Sequence, residues 1–137
     1  MKVFRRKKIP LHTSTFLSAF ILQACGGGNS VEQSENSVVT GAVIKGPLEN
    51  AFVFLDLDDD GQYSENEPSA RTLNDGSFSI SSAITGVGFV AKTDASTLDT
   101  SSGEVLENIT LKAPSGASVV TPTTTIMKEA NLSASEV

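Results

Sequence analysis

A strand in this chain breaks into a long acidic loop. Ala51-Phe52-Val53-Phe54-Leu55 is a β-branched and aromatic run suited to a sheet. It leads directly into Asp56-Leu57-Asp58-Asp59-Asp60-Gly61-Gln62-Tyr63-Ser64-Glu65-Asn66-Glu67, and Pro68 follows. Proline disfavours a helix continuing from Glu67, because it lacks an amide donor and clashes with the preceding turn. The loop therefore joins strands and not helices. So many carboxylates in one loop repel one another unless a cation sits among them. The alternative is an acidic, solvated turn that holds no ion.

The spacing inside the loop favours the cation. Acids stand at loop positions 1, 3 and 5, glycine at 6, serine at 9 and glutamate at 12. This is the spacing of an EF-hand calcium loop. Calcium takes six to eight hard oxygen ligands. Asp56, Asp58 and Asp60 alternate along an extended segment, so they can turn toward one centre. Gln62 is expected to supply its backbone carbonyl, Ser64 a hydroxyl or a bridging water, and Glu67 a bidentate carboxylate. Gly61 allows a bend that a Cβ would hinder. The expected cofactor is calcium, held by a loop set between β-strands.

The amino terminus points to export. Lys2, Arg5, Arg6, Lys7 and Lys8 form a basic region, and Leu11 to Ala24 is a mostly apolar run too short to span a membrane comfortably. It ends at Leu22-Gln23-Ala24-Cys25, ahead of Gly26-Gly27-Gly28. This resembles the lipobox of bacterial lipoproteins, whose cysteine is diacylated and becomes the first residue. Leu22 and Ala24 match the pattern, while Gln23 departs from its usual small or aliphatic residue. The resemblance implies a lipid anchor on Cys25, the only cysteine of the chain. Gly26 in place of Asp implies the outer membrane or cell surface.

Removal of residues 1–24 leaves five basic residues against sixteen acidic ones, a net charge of −11. Nucleic-acid binding is excluded on that balance, since phosphate contacts need clustered Lys and Arg. The only histidine is His12, inside the signal. The mature chain thus has no imidazole base, no imidazole zinc ligand and no Ser-His-Asp triad. Asp94, Asp99, Glu104 and Glu107 lie in a Ser/Thr-rich stretch and read as solvated surface. The chain is not expected to be an enzyme.

The expected organisation is a signal at 1–24, a Gly/Ser-rich tether at 25–37, a β-rich module at 38–120 and the start of a helical segment at 121–137. Strands are expected at Val38–Ile44, Ala51–Leu57, Gly86–Lys92 and Val105–Lys112. Ala70–Leu73 and Ser77–Ser81 are expected to form a hairpin across Asn74-Asp75-Gly76. Phe52 and Phe54 face away from Val53, Leu55 and Leu57, so this strand should be covered on both sides. Thr121-Pro122 reads as a helix N-cap and first turn, with an apolar stripe at Ile126, Met127 and Ala130. A helix that has barely begun at Val137 raises the expectation of a longer protein.

Gly41-Ala42-Val43-Ile44-Lys45-Gly46-Pro47-Leu48, Ala51-Phe52-Val53-Phe54-Leu55-Asp56, Glu67-Pro68 and Asn74-Asp75-Gly76-Ser77-Phe78 resemble bacterial surface modules of the Cna B-type and carboxypeptidase regulatory-like group. Asn66 stands where that group usually has Gly. Leu111 to Thr125 is similar to a segment found beside such modules in large, calcium-rich exported proteins. The resemblance implies a mainly β fold, a small prealbumin-like or Ig-like β-sandwich with a short C-terminal helix. It also implies a lipid-anchored, calcium-binding structural or binding module of the cell envelope, whose protein or glycan ligand is unnamed. The alternative is the amino-terminal part of a larger exported adhesin or polymer-degrading enzyme with its working domain beyond residue 137.

Overall fold

The computed structural model describes residues 35–135; the expected signal at 1–24, the acylation site Cys25 and most of the expected tether lie outside them. Ten strands and one helix follow in order: β1 Ser37–Val43, β2 Leu48–Glu49, β3 Phe52–Asp56, β4 Ser69–Arg71, β5 Ser77–Ser82, β6 Gly88–Lys92, β7 Leu98–Asp99, β8 Glu104–Val105, β9 Thr110–Ala113, β10 Val119–Val120 and α1 Pro122–Glu129. The fold is mainly β, a small sandwich with a short C-terminal helix.

One layer has the strand order β10-β1-β5 and the other β4-β3-β6-β9. A small sheet, β2-β7-β8, accompanies them. Alternation along each strand decides what lies between the layers. Phe78 and Ile80 of β5 are buried, whereas Ser79 and Ser81 are exposed. The buried core joins Val43, Phe78, Ile80 and Val120 of the first layer to Val53, Leu55, Phe89, Ala91, Leu111 and Ala113 of the second. The Phe78 and Phe89 rings meet edge to face across the layers, with centroids 5.2 Å apart. Burying a side chain of this size contributes about 1.5–3 kcal/mol.

The expected hairpin does not form. β4 pairs antiparallel with β3, and β5 pairs antiparallel with β1. Asn74-Asp75-Gly76 is instead a corner that passes the chain from one layer to the other. The Asp75 carboxylate accepts from the Ser77 amide and hydroxyl, and the Gly76 carbonyl accepts from the Val43 amide at 2.8 Å. The turn residues were read correctly as a turn, but local chemistry carries no information about which sheet the outgoing strand joins.

The expected strand 105–112 is also broken. Asn108 takes a left-handed φ of 59°, and Thr93 holds this bend through the Asn108 and Ile109 amides. β8 and β9 therefore lie in different sheets.

Helix α1 starts where the sequence placed it. Thr121 is the N-cap, Pro122 opens the first turn, and Thr121 and Thr124 form a reciprocal capping box. The helix does not dock through the expected apolar stripe: it buries no residue, and Ile126 is 70% exposed. It docks through threonines. Thr125 Oγ1 accepts from the Lys112 amide at 2.9 Å, and Thr124 Oγ1 donates to the Lys112 carbonyl at 2.8 Å. These bonds satisfy the outer edge of β9, which would otherwise face the solvent as an unpaired strand edge.

A candidate metal centre in the β3–β4 loop

The acidic loop begins at the last residue of β3 and ends just before β4. Strand pairing buries its first acid. Asp56 lies opposite Gly88 of β6 and is only 4% exposed. Asp58 and Asp60 are exposed. Each of the three aspartates presents one carboxylate oxygen, and these oxygens lie within 4.8 Å of one another. Oxygens bound to one calcium ion at about 2.3–2.6 Å stand at most roughly 5 Å apart, so the group fits calcium.

Hydrogen bonds inside the loop hold this shape. Asp56 Oδ2 accepts from the Gly61 amide at 3.2 Å, and Asp60 Oδ1 accepts from the Gln62 amide at 2.6 Å. Asp58 Oδ1 lies 3.4 Å from the Asp60 amide. Gly61 is buried at a φ of 71°, a conformation that glycine adopts without a steric penalty. Asp56 Oδ1 is different: it is buried and has no hydrogen-bond partner among the described residues. Native structures rarely leave such an atom unpaired. Burial, with help from the nearby Asp59 and Glu67, pushes the Asp56 carboxyl above its ordinary value of 3.8 despite the opposing Gly61 amide and the Lys128 charge. The loop thus holds a carboxylate in a position that disfavours its charge.

The other expected ligands are placed as follows. Glu67 is buried, and its two oxygens accept from the Leu57 amide at 2.9 Å and the Ser64 amide at 2.8 Å. It ties the two ends of the loop together and is outside the three-aspartate group. Each oxygen keeps acceptor capacity beyond those bonds. The Gln62 side chain turns outward and accepts from Lys92 Nζ at 3.2 Å. Asp60 and Gln62 also line an open cavity of about 500 Å³, shared with Lys92, Asn108, Thr110 and Lys112.

Two features of the site were not read from the sequence. The first is Tyr63, at loop position 8. Its ring packs edge to face on Phe52 and Phe54, at centroid distances of 5.0 and 5.6 Å. Phe54 faces away from the core and is nonetheless fully buried. The loop therefore covers the outer face of the second layer. The second is Lys128 of α1, which forms an ion pair with Asp59. A lone tyrosine in an acidic loop was the available hint for the first. Nothing local signals the second, because the partners lie 69 residues apart.

In comparisons with family models, curated proteins and solved structures, nothing matches this chain.

Proposed function

We propose that residues 56–67 bind calcium and that the ion stabilises a lipid-anchored β-sandwich module of the cell envelope. The observation that carries the calcium reading is Asp56 Oδ1, a buried oxygen without a partner in a group that also contains Asp58 and Asp60. A cation would compensate that oxygen and the repulsion among the carboxylates. The resulting stabilisation would reach the sandwich, because β3 lies inside the second layer and Tyr63 covers its outer face. Asp56, Asp58 and Asp60 would be ligands, with Gln62 and Ser64 completing the shell directly or through water. Glu67 would hold the loop closed and share its remaining acceptor capacity. Magnesium would serve less well, since it demands tight octahedral geometry and gives up water reluctantly.

The envelope assignment is supported by the basic and apolar amino terminus and Leu22-Gln23-Ala24-Cys25. No histidine follows His12, and the role proposed is structural or binding rather than catalytic.

Calorimetric titration of the purified full chain tests the calcium reading: one site is expected, with a higher melting temperature in calcium than in chelator. The absence of both heat and melting shift would reduce the loop to an acidic turn. For the anchor, Cys25→Ser should leave an unprocessed or soluble precursor. A variant that matures and sediments with membranes like the parent would refute it.

A further inference from the structure

We propose that Lys128 is the built-in counter-charge of the calcium loop, so that the cation and the hold of helix α1 on that loop oppose each other. The inference rests on the calcium reading of residues 56–67 and adds its regulation.

Three observations carry it. Lys128 Nζ, from the last turn of α1, is paired with the Asp59 carboxylate in the middle of the loop. Its side chain is only 22% exposed, so most of its stem packs against the fold. Its ammonium also lies beside β6. Gly88 lies opposite Asp56, and a Cβ there would stand 3.5 Å from Lys128 Nζ and 2.8 Å from the Ala113 carbonyl oxygen. The ammonium therefore lies within van der Waals reach of the strand position facing the first acid of the loop.

Asp59 adopts a left-handed φ of 63°, and its side chain serves Lys128 instead of joining the Asp56, Asp58 and Asp60 group. The ammonium therefore acts on the loop from a neighbouring position and does not occupy the cation's own place. Two consequences follow from Coulomb's law. Without a dication, Lys128 offsets part of the repulsion among the loop acids. With one, its positive charge opposes binding, and it also neutralises an aspartate that would otherwise attract the ion.

The coupling is reciprocal by linkage. If Lys128 weakens calcium binding, calcium must weaken the Lys128 clasp by the same factor. The helix has little else to compensate. It buries no residue fully, and among the described residues its other hydrogen bonds and ion pairs to the strands are the threonine bonds to Lys112 at its start and the Lys112–Glu129 pair. Its last turn should therefore loosen when the loop takes up calcium. Helix α1 thus becomes the element through which calcium occupancy is read at the carboxyl-terminal side of the module.

The test is calcium titration of the full chain by calorimetry at low salt, for the parent, Lys128→Gln, Lys128→Arg and Lys45→Gln. Lys128→Gln is expected to bind calcium roughly three- to tenfold more tightly, with the gain shrinking in high salt. Lys128→Arg keeps the charge and should match the parent. Lys45→Gln controls for net charge and should also match it. Amide exchange gives a second readout: calcium should speed exchange at Ala130 in the parent and have no such effect in Lys128→Gln. Equal or weaker binding by Lys128→Gln, or an equal gain in Lys45→Gln, would overturn the proposal while leaving calcium binding intact. If neither the parent nor any variant binds calcium, the calcium reading falls and this inference with it.

Discussion

Asp56→Asn should change the stability of this protein in opposite directions with and without calcium. The side chain is buried, one oxygen accepts from the Gly61 amide, and the other has no partner. Leaving a buried acceptor unsatisfied costs about 1–3 kcal/mol, and the nearby Asp59 and Glu67 charges add repulsion. Asparagine keeps an oxygen for Gly61 and removes the buried charge that Asp59 and Glu67 repel. In chelator the variant should therefore be more stable than the parent by about 1–2 kcal/mol. For a domain near 100 residues this raises the melting temperature by roughly 4–16 °C.

In calcium the order should reverse. At one hundred times its dissociation constant the ion stabilises the parent by about 2.7 kcal/mol, and the variant, lacking a charged central ligand, should gain little. The assay is thermal unfolding of both proteins by circular dichroism, in chelator and in saturating calcium. The pH dependence supplies an internal check. Because the Asp56 carboxyl is raised, the folded parent holds a proton more tightly than the unfolded chain. Stability from this group is thus present below its ordinary value of 3.8 and is lost as pH rises through the raised value. That decline should be absent in Asp56→Asn. A variant less stable than the parent in chelator, or one stabilised by calcium as much as the parent, would refute the reasoning.

Other side chains should respond in their own ways. Asp75, Asp94 and Asp99 are held below the usual carboxylate range, by the Ser77 hydroxyl, by Arg71 with the Ser96 hydroxyl, and by the Ser101 hydroxyl respectively. Their contribution is present above pH 3.8 and lost on acidification below it, so combining Ser77→Ala, Ser96→Ala and Ser101→Ala should flatten the acid side of a melting-temperature profile. Tyr63→Ala removes two edge-to-face contacts and should cost about 1–3 kcal/mol in denaturant unfolding, whereas Tyr63→Phe should cost less than about 0.5 kcal/mol. Thr125→Val removes the acceptor for the Lys112 amide at the edge of β9. Exchange of that amide should accelerate in the variant while exchange at core strand β3 stays at the parent rate.

What the sequence disclosed follows the range of the interactions involved. The period-2 pattern of Phe78 and Ile80 against Ser79 and Ser81, the opposite faces taken by Val53 and Leu55 and by Phe52 and Phe54, and the Thr121-Pro122 helix start all depend on neighbouring residues, and each was legible. The aspartate spacing brought Asp56, Asp58 and Asp60 together for the same reason. Partner choice was not legible. A strand leaving the Asn74-Asp75-Gly76 corner has similar local chemistry whether it pairs with β4 or with β1, and only the closure of the core decides. The role of Glu67 as a tie between the Leu57 and Ser64 amides was hidden because a buried carboxylate can serve a metal or backbone donors equally well. Thr124 and Thr125 carried no reading in the sequence, and their task at Lys112 depends on a strand edge that no local pattern announces.

The pairing of β1 with β10 has a kinetic consequence. Ala42 and Val43 run parallel to Val119 and Val120, so the first and last strands of the module are neighbours. Closing a loop of that length must precede the contacts that reward it, which makes this step slow compared with hairpin formation. Val43 and Val120 are both fully buried, so a chain still emerging and lacking its last strand cannot complete its core. Until Val120 arrives, β1 has β5 on one side and an unpaired edge on the other, and this edge is where an incompletely made molecule would be open to pairing with another chain.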